Sequence, residues 1–327
     1  MGAAGALARR ALPVAVSAAL LAHLAFRIDL RAALEHLTLP TTLRFLAPLA
    51  IWNGVTLLIE AHCLHRVTGA CGRAIARTTA ARIKSACYLL SLFHYAAGAT
   101  ALTFLLRRRM GGSLARAASA VFVIALLDMG SVAGMALLAG ALQPELGAGL
   151  RSGLLLTLLA GVAGGFFLLR TRRSLGSLER LRSLEILGAL RTIPLGVLLE
   201  LIALRVVFVA CYVGMVAGLF RAFDVPIGVT ELALKVAVLL LISALPIAVA
   251  GIGTAQVAFV TLFATHAPDD VLLSMSILMS IALTLARALL GLAFAGELSR
   301  EAREARSAGE ADTGPEGAGE SDRPETR

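Results

Sequence analysis

The chain has 327 residues, is 58% hydrophobic and 16% charged, and carries a formal net charge of +9, with a mean hydropathy of +0.84. Those values exclude a water-soluble domain and point to a polytopic membrane protein. The arginines sit in short blocks between apolar runs with no interleaved aromatic residues, so no nucleic-acid partner is expected.

In chain order, apolar runs fall at about 11–26, 43–65, 85–106, 114–141, 150–169, 193–220, 229–265 and 271–298. About 20 residues suffice to cross a bilayer core, so most runs fit one crossing each. The first follows Arg9 and Arg10 and resembles a signal peptide; because further runs follow, it is read as an uncleaved helix that keeps residues 1–10 in the cytoplasm. Residues 299–327 turn to Glu, Arg, Gly, Pro and Ser, a composition too polar to repay chain entropy, and a disordered cytoplasmic tail is expected there. Four cysteines, Cys63, Cys71, Cys87 and Cys211, lack C-x-x-C spacing and are read as reduced.

Loop charge tests the topology. Three connections are basic: Arg66, Arg73, Arg77, Arg82 and Lys84; then Arg107, Arg108, Arg109 and Arg116; then Arg170, Arg172, Arg173, Arg180, Arg182 and Arg191. The first two can share the cytoplasmic side only if run 85–106 enters the membrane and returns, and Gly98 offers a turning point. The long run 229–265 is read likewise, entering from outside and breaking between Pro246 and Gly253. The expected fold is therefore all-α, with about six crossing helices and two re-entrant hairpins. Residues 11–141 and 150–298 then read in the same order from opposite sides, an inverted-topology repeat of the kind found in many secondary transporters.

Charged residues inside the runs are the candidate site. Asp128, Arg205 and Arg287 lie near the middle of theirs, with Glu200 and Lys235 less central. A charge at a helix centre costs about 2.5 to 3.5 kcal/mol on insertion scales, so each should pair or face a wet cavity. Glu200 and Arg205 are five residues apart, about 140° around a helix, and need partners elsewhere; Asp128 with Arg205 or Arg287 is the expected pairing. Structural ion pairing, and for Glu200 and Lys235 snorkelling towards headgroups, are the competing readings.

The stretch "ALPIAVAGIGTAQVAFV", Ala244 to Val260, breaks a greasy run with a proline, two glycines and a glutamine. Without a βαβ context its glycines do not read as a dinucleotide loop. It resembles the signature of the flippase-like family typified by the transmembrane domain of lysylphosphatidylglycerol synthases, Leu-Pro-x-x-x-Gly-Gly-x-Gly-x-x-Glu. Leu245, Pro246, Gly251 and Gly253 match, Ala250 replaces the first glycine and Gln256 the glutamate. "LTLARALLGLAFAGEL" is similar to the family's last helix, with Arg287 at its arginine. "HYAAGATALTFLLRRRMGGSLARAASAVFVIALLD" is similar to its first hairpin and next helix, with Gly98 and Asp128 at matching positions. His94 stands near a usual asparagine, Leu102 where a basic residue is common, and Ile124 and Ala125 where a Glu-Arg pair often occurs.

The resemblance implies movement of a polar-headgroup lipid, a phospholipid or a polyprenyl-linked one, between leaflets of a prokaryotic-type plasma membrane. Asp128, Arg205, Pro246, Gly251, Gly253, Gln256 and Arg287 are then the substrate-binding candidates, followed by His94, Gly98, Glu200 and Lys235. A separate aminoacyltransferase domain is not expected, since only the polar tail follows the last run. No catalytic residues, cofactor or metal are expected: "EAHCLHRVTGAC" gathers Glu60, His62, Cys63, His65 and Cys71, but Cys63 is off the face that His62 and His65 share, so ordinary interfacial side chains are the preferred reading. Trp52 and Asn53 are assigned to packing and interhelical hydrogen bonding, and "SLGSLERLRSLEILGAL" to an interfacial connector. A membrane-embedded enzyme lacks a supporting motif here. The other class considered is a non-transporting accessory or scaffold partner of a lipid synthase or glycosyltransferase; self-association into a homo-oligomer is compatible with either.

Overall fold

The computed structural model describes residues 34–93, 95–111, 113–143, 147–170, 188–244, 253–294 and 296. Every regular element named among them is an α-helix: α1 (Leu39–Ala70), α2 (Arg77–Phe93), α3 (Tyr95–Met110), α4 (Leu114–Ala141), α5 (Ala148–Arg170), α6 (Gly188–Thr192), α7 (Leu195–Ala222), α8 (Val229–Ala244), α9 (Thr254–Phe263) and α10 (Asp269–Ala293). The first apolar run, the tail, His94, Pro246, Gly251 and most of the leucine-rich connector lie outside the described residues.

Among the described residues four helices, α1, α4, α7 and α10, are long and apolar enough to cross a membrane. With 25 to 32 residues each, they run roughly 38 to 48 Å at 1.5 Å per residue, more than the ~30 Å of hydrocarbon. Their outward faces carry leucines and isoleucines such as Ile51, Leu58, Leu199, Leu285 and Leu289, all exposed, as a lipid-facing surface requires.

Local chemistry sets the helix ends. The Thr38 hydroxyl accepts from the Thr41 N–H at the start of α1, and that of Ser113 accepts from the Arg116 N–H at the start of α4. The Arg151 Nε–H donates to the Ala141 carbonyl at 3.0 Å, capping the end of α4. Asp269 and Asp270 open α10, where negative charge meets the positive end of the helix dipole.

Two pairs of shorter helices pack as hairpins: α2 with α3, and α8 with α9. The first pair corrects two expectations. Arg77, Arg82 and Lys84 are not loop residues but lie in α2, since a hairpin arm can begin in the basic stretch and carry those side chains back to the interface or to a buried partner. Gly98 is not the turning point either: the first arm ends at Phe93 and the second begins at Tyr95, so Gly98 sits inside α3. A β-carbon on Gly98 would run into the Ser91 side chain and lie 3.1 Å from the Cys87 carbonyl, so this glycine lets the two arms approach closely. In the second pair the helices stop at Ala244 and restart at Thr254, bracketing the stretch expected to break.

The helices enclose two apolar cores. One joins the first half of α1 (Phe45, Leu49, Trp52) to the second half of α7 and to α8, α9 and α10. The other joins the second half of α1 (Ile59, Leu64, Val67) to α2, α3, α4, α6 and the start of α7. The long α1 and α7 pack along each other and belong to both; a β-carbon on Gly218 of α7 would lie 2.6 Å from the ring of Pro48 in α1, so a side chain there would hold the two apart.

Candidate functional site

Where one core gives way to the other, charged side chains from four helices meet. Arg205 of α7 is fully buried; its Nη1 lies 2.8 Å from Glu60 Oε1 of α1 and 2.7 Å from Asp128 Oδ1 of α4. Glu60 Oε2 takes a second cation, Lys84 Nζ of α2, at 2.8 Å. The guanidinium also lies 5.6 Å from the Phe208 ring. The approach to Asp128 is ionic rather than a well-aligned hydrogen bond, and Arg205 Nε and Nη2 have no partner among the described residues. Withdrawing these charges from water is costly, and removal of one member would leave an uncompensated charge behind.

A cavity of about 220 Å³ opens beside the cluster. Glu60, Lys84 and Asp128 line it together with Trp52 and Thr56 of α1, Ser91 and Gly98 of the first hairpin, and Arg287 of α10. Leu102, Ile124 and Ala125, the positions where the family signature commonly carries charge, line it as well. Trp52 packs edge-on to Tyr212 at 5.4 Å, and its indole nitrogen has no acceptor among the described residues. Asn53 corrects an expectation: it donates to the Leu49 carbonyl one turn back in its own helix rather than across helices, at 2.9 Å.

Asp128 and Arg205 thus meet as anticipated, with Arg287 and Gly98 at the adjoining cavity. Glu200 belongs to a separate cluster: Arg66 Nε and Nη2 donate to its Oε2 at 2.8 and 2.6 Å, and His62 Nε2 lies 2.6 Å from its Oε1. His65 bonds instead to the Ile75 carbonyl at 2.7 Å. Lys235 pairs with Glu231 one turn earlier at 2.7 Å, and His266 lies 3.2 Å from the same carboxylate. Gln256 is buried; its Oε1 accepts from the Gly253 N–H at 2.6 Å and its Nε2 donates to Ser280 at 3.0 Å. Gly253 has φ +95°, a conformation that strains other residues. No described residue of the second hairpin lines the cavity.

Two members of the cluster, Glu60 and Lys84, escaped the sequence reading, which placed one at the interface and the other in a loop. Glu60 lies ten residues before the end of α1, roughly 15 Å deep along the axis, and that depth was the signal to follow. Among the described residues no group of His, Cys, Asp and Glu side chains could hold a metal ion.

The fold and site define an α-helical integral membrane protein with a buried ionic cluster beside a cavity bordered by charged side chains. Residues 10–291 match the family described as the lysylphosphatidylglycerol synthase TM region, and the chain belongs to that family. No curated protein is similar enough to the chain to count as a match.

Proposed function

We propose that the protein moves a polar-headgroup lipid between the leaflets of a prokaryotic-type plasma membrane and is not itself an enzyme. The observation that carries this is a largely apolar cavity inside the bundle that is bordered by charged side chains from α1, α2, α4 and α10. A headgroup would occupy the cavity while its acyl chains stay in the bilayer. The family membership supports the connection with lipids.

In this reading both hairpins are re-entrant and the two halves form an inverted repeat, with both termini cytoplasmic. Supporting it, the helix contacts keep their pattern when α1, α2, α3 and α4 are exchanged for α7, α8, α9 and α10. The first arm of each hairpin packs on the last helix of the other half, α2 on α10 and α8 on α4. Both hairpins have arms of 10 to 17 residues, too short to cross the hydrocarbon core as straight helices.

The test is a leaflet-resolved assay with headgroup-labelled lipids in reconstituted vesicles. Protein-dependent movement of at least one lipid is expected, and its loss in an Asp128→Ala, Arg287→Ala double variant that remains folded. Absence of movement across a broad panel would overturn the translocator reading in favour of an accessory partner for a lipid synthase or glycosyltransferase.

A further inference from the structure

We infer that the cavity selects a compact anionic headgroup, a phosphodiester without an amine. This assignment rests on the reading of the cavity as a lipid site and adds the charge and size of what it takes.

Charge gives the first argument. Among the described residues that line or adjoin the cavity, Lys84, Arg205 and Arg287 face only two carboxylates, Glu60 and Asp128. The excess is positive, and protonation of Asp128 would only increase it. Glu60 is held on both oxygens and Asp128 on one, so an incoming amine would compete with Arg205 for Asp128. Arg287 borders the cavity, is itself exposed, and has no carboxylate partner among the described residues. An unpaired cation inside a membrane protein calls for a counter-anion.

Hydrogen-bond chemistry gives the second. The Trp52 indole N–H can only donate, it is buried in a residue that lines the cavity, and it has no acceptor among the described residues. The Arg287 guanidinium is likewise donor-only. The nearby Thr56 hydroxyl is also buried without a partner among the described residues. Donors without acceptors suit the oxygens of a phosphate. Size gives the third: about 220 Å³ is below the range of ordinary small-molecule sites and fits a phosphate with a small alcohol, not an oligosaccharide.

Trp52 is the only tryptophan in the chain, so its fluorescence reports directly on the cavity. Dihexanoyl phosphatidylglycerol, dihexanoyl phosphatidylethanolamine and inorganic phosphate would be titrated into the full-length protein in detergent. The expected result is a saturable change with phosphatidylglycerol, at least about ten-fold weaker binding of phosphatidylethanolamine, and a similar loss of phosphatidylglycerol affinity in Arg287→Gln. Trp52→Phe, followed with radiolabelled lipid, should bind about five-fold more weakly. Equal or tighter binding of the amine-bearing lipid, or full affinity in Arg287→Gln, would overturn the inference; an equal response to inorganic phosphate would overturn the lipid assignment. In vesicles, charge-selective binding without transport would overturn the translocator reading alone, whereas transport without headgroup preference would overturn this inference alone.

Discussion

The two hairpins share an outline and differ in chemistry. The first arm of each carries a lysine near its middle, Lys84 in α2 and Lys235 in α8. Lys84 reaches out of its hairpin to Glu60 and thereby into the buried cluster. Lys235 stays with its own arm, paired to Glu231, and its Nζ lies 5.6 Å from the Phe263 ring. Beyond the lysines the contrast persists. Ser91 and Gly98 of the first hairpin border the cavity, while Phe259 and Phe263 of the second pack on Phe220, with centroids 6.1 and 4.9 Å away. The described part of the second hairpin is thus an apolar anchor, and the first lines the cavity. One architecture carries two jobs because burial of a few charges, not helix layout, decides which hairpin meets the cavity.

The largest effect should come from the charge shared by both carboxylates. Arg205→Met removes the cation from Glu60 and Asp128 together, and breaking a buried pair in this way costs about 3 to 5 kcal/mol. The expected outcome is a sharp fall in the thermal midpoint of the purified protein and little folded material in the membrane. A variant as stable as the parent would mean that the cluster does not hold the cores together. Lys84→Met should cost less, about 2 kcal/mol, because Glu60 keeps Arg205; it is measured by the same thermal challenge, and a loss no greater than that for the second hairpin's lysine would erase the contrast.

Sequence carried part of this contrast and not the rest. The apolar runs located α1, α4, α7 and α10, and positive-inside counting pointed to paired arms in runs 85–106 and 229–265. Asp128 and Arg205 were found because a charge centred in an apolar run needs a partner. Glu60 and Lys84 were missed because their neighbours are polar: Glu60 precedes His62, His65 and Arg66, and Lys84 follows Arg77 and Arg82. Local composition there reports the membrane interface, whereas a long side chain on a helix can turn inward to a partner that only the packing of α1 against α2 supplies. Gly98 teaches the same lesson. A glycine in a hairpin suggests a turn, but its service in α3 is close approach to α2, which depends on a neighbour invisible in the local pattern.

Gln256 sharpens the comparison at intermediate strength. It stands where the family signature has a glutamate, yet here its oxygen caps the backbone at Gly253 and its nitrogen reaches Ser280 of α10. Gln256→Leu leaves the buried Gly253 N–H without its acceptor, at a cost of about 1 to 2 kcal/mol. A modest drop in thermal midpoint is expected, together with faster amide hydrogen exchange at the start of α9. Unchanged exchange there would show that the cap does not hold the helix end.

Lys235→Met gives the smallest expected effect and the strictest test of the difference between the hairpins. The Lys235 side chain is 18% exposed and its partner Glu231 40%. An i, i+4 pair of this kind contributes about 0.3 to 0.5 kcal/mol. Glu231 also keeps His266 at 3.2 Å when the lysine is lost, and a methionine retains apolar contact with Phe263. The thermal midpoint should therefore move little and become less sensitive to salt, since a partly exposed pair is screened by added ions. Lys84→Met should show the opposite pair of traits, a large shift that salt barely alters, because Glu60 is buried beside Arg205. If the two lysine variants lose stability equally and respond equally to salt, the hairpins are energetically alike, and the cavity, not the buried pairing, is all that separates them.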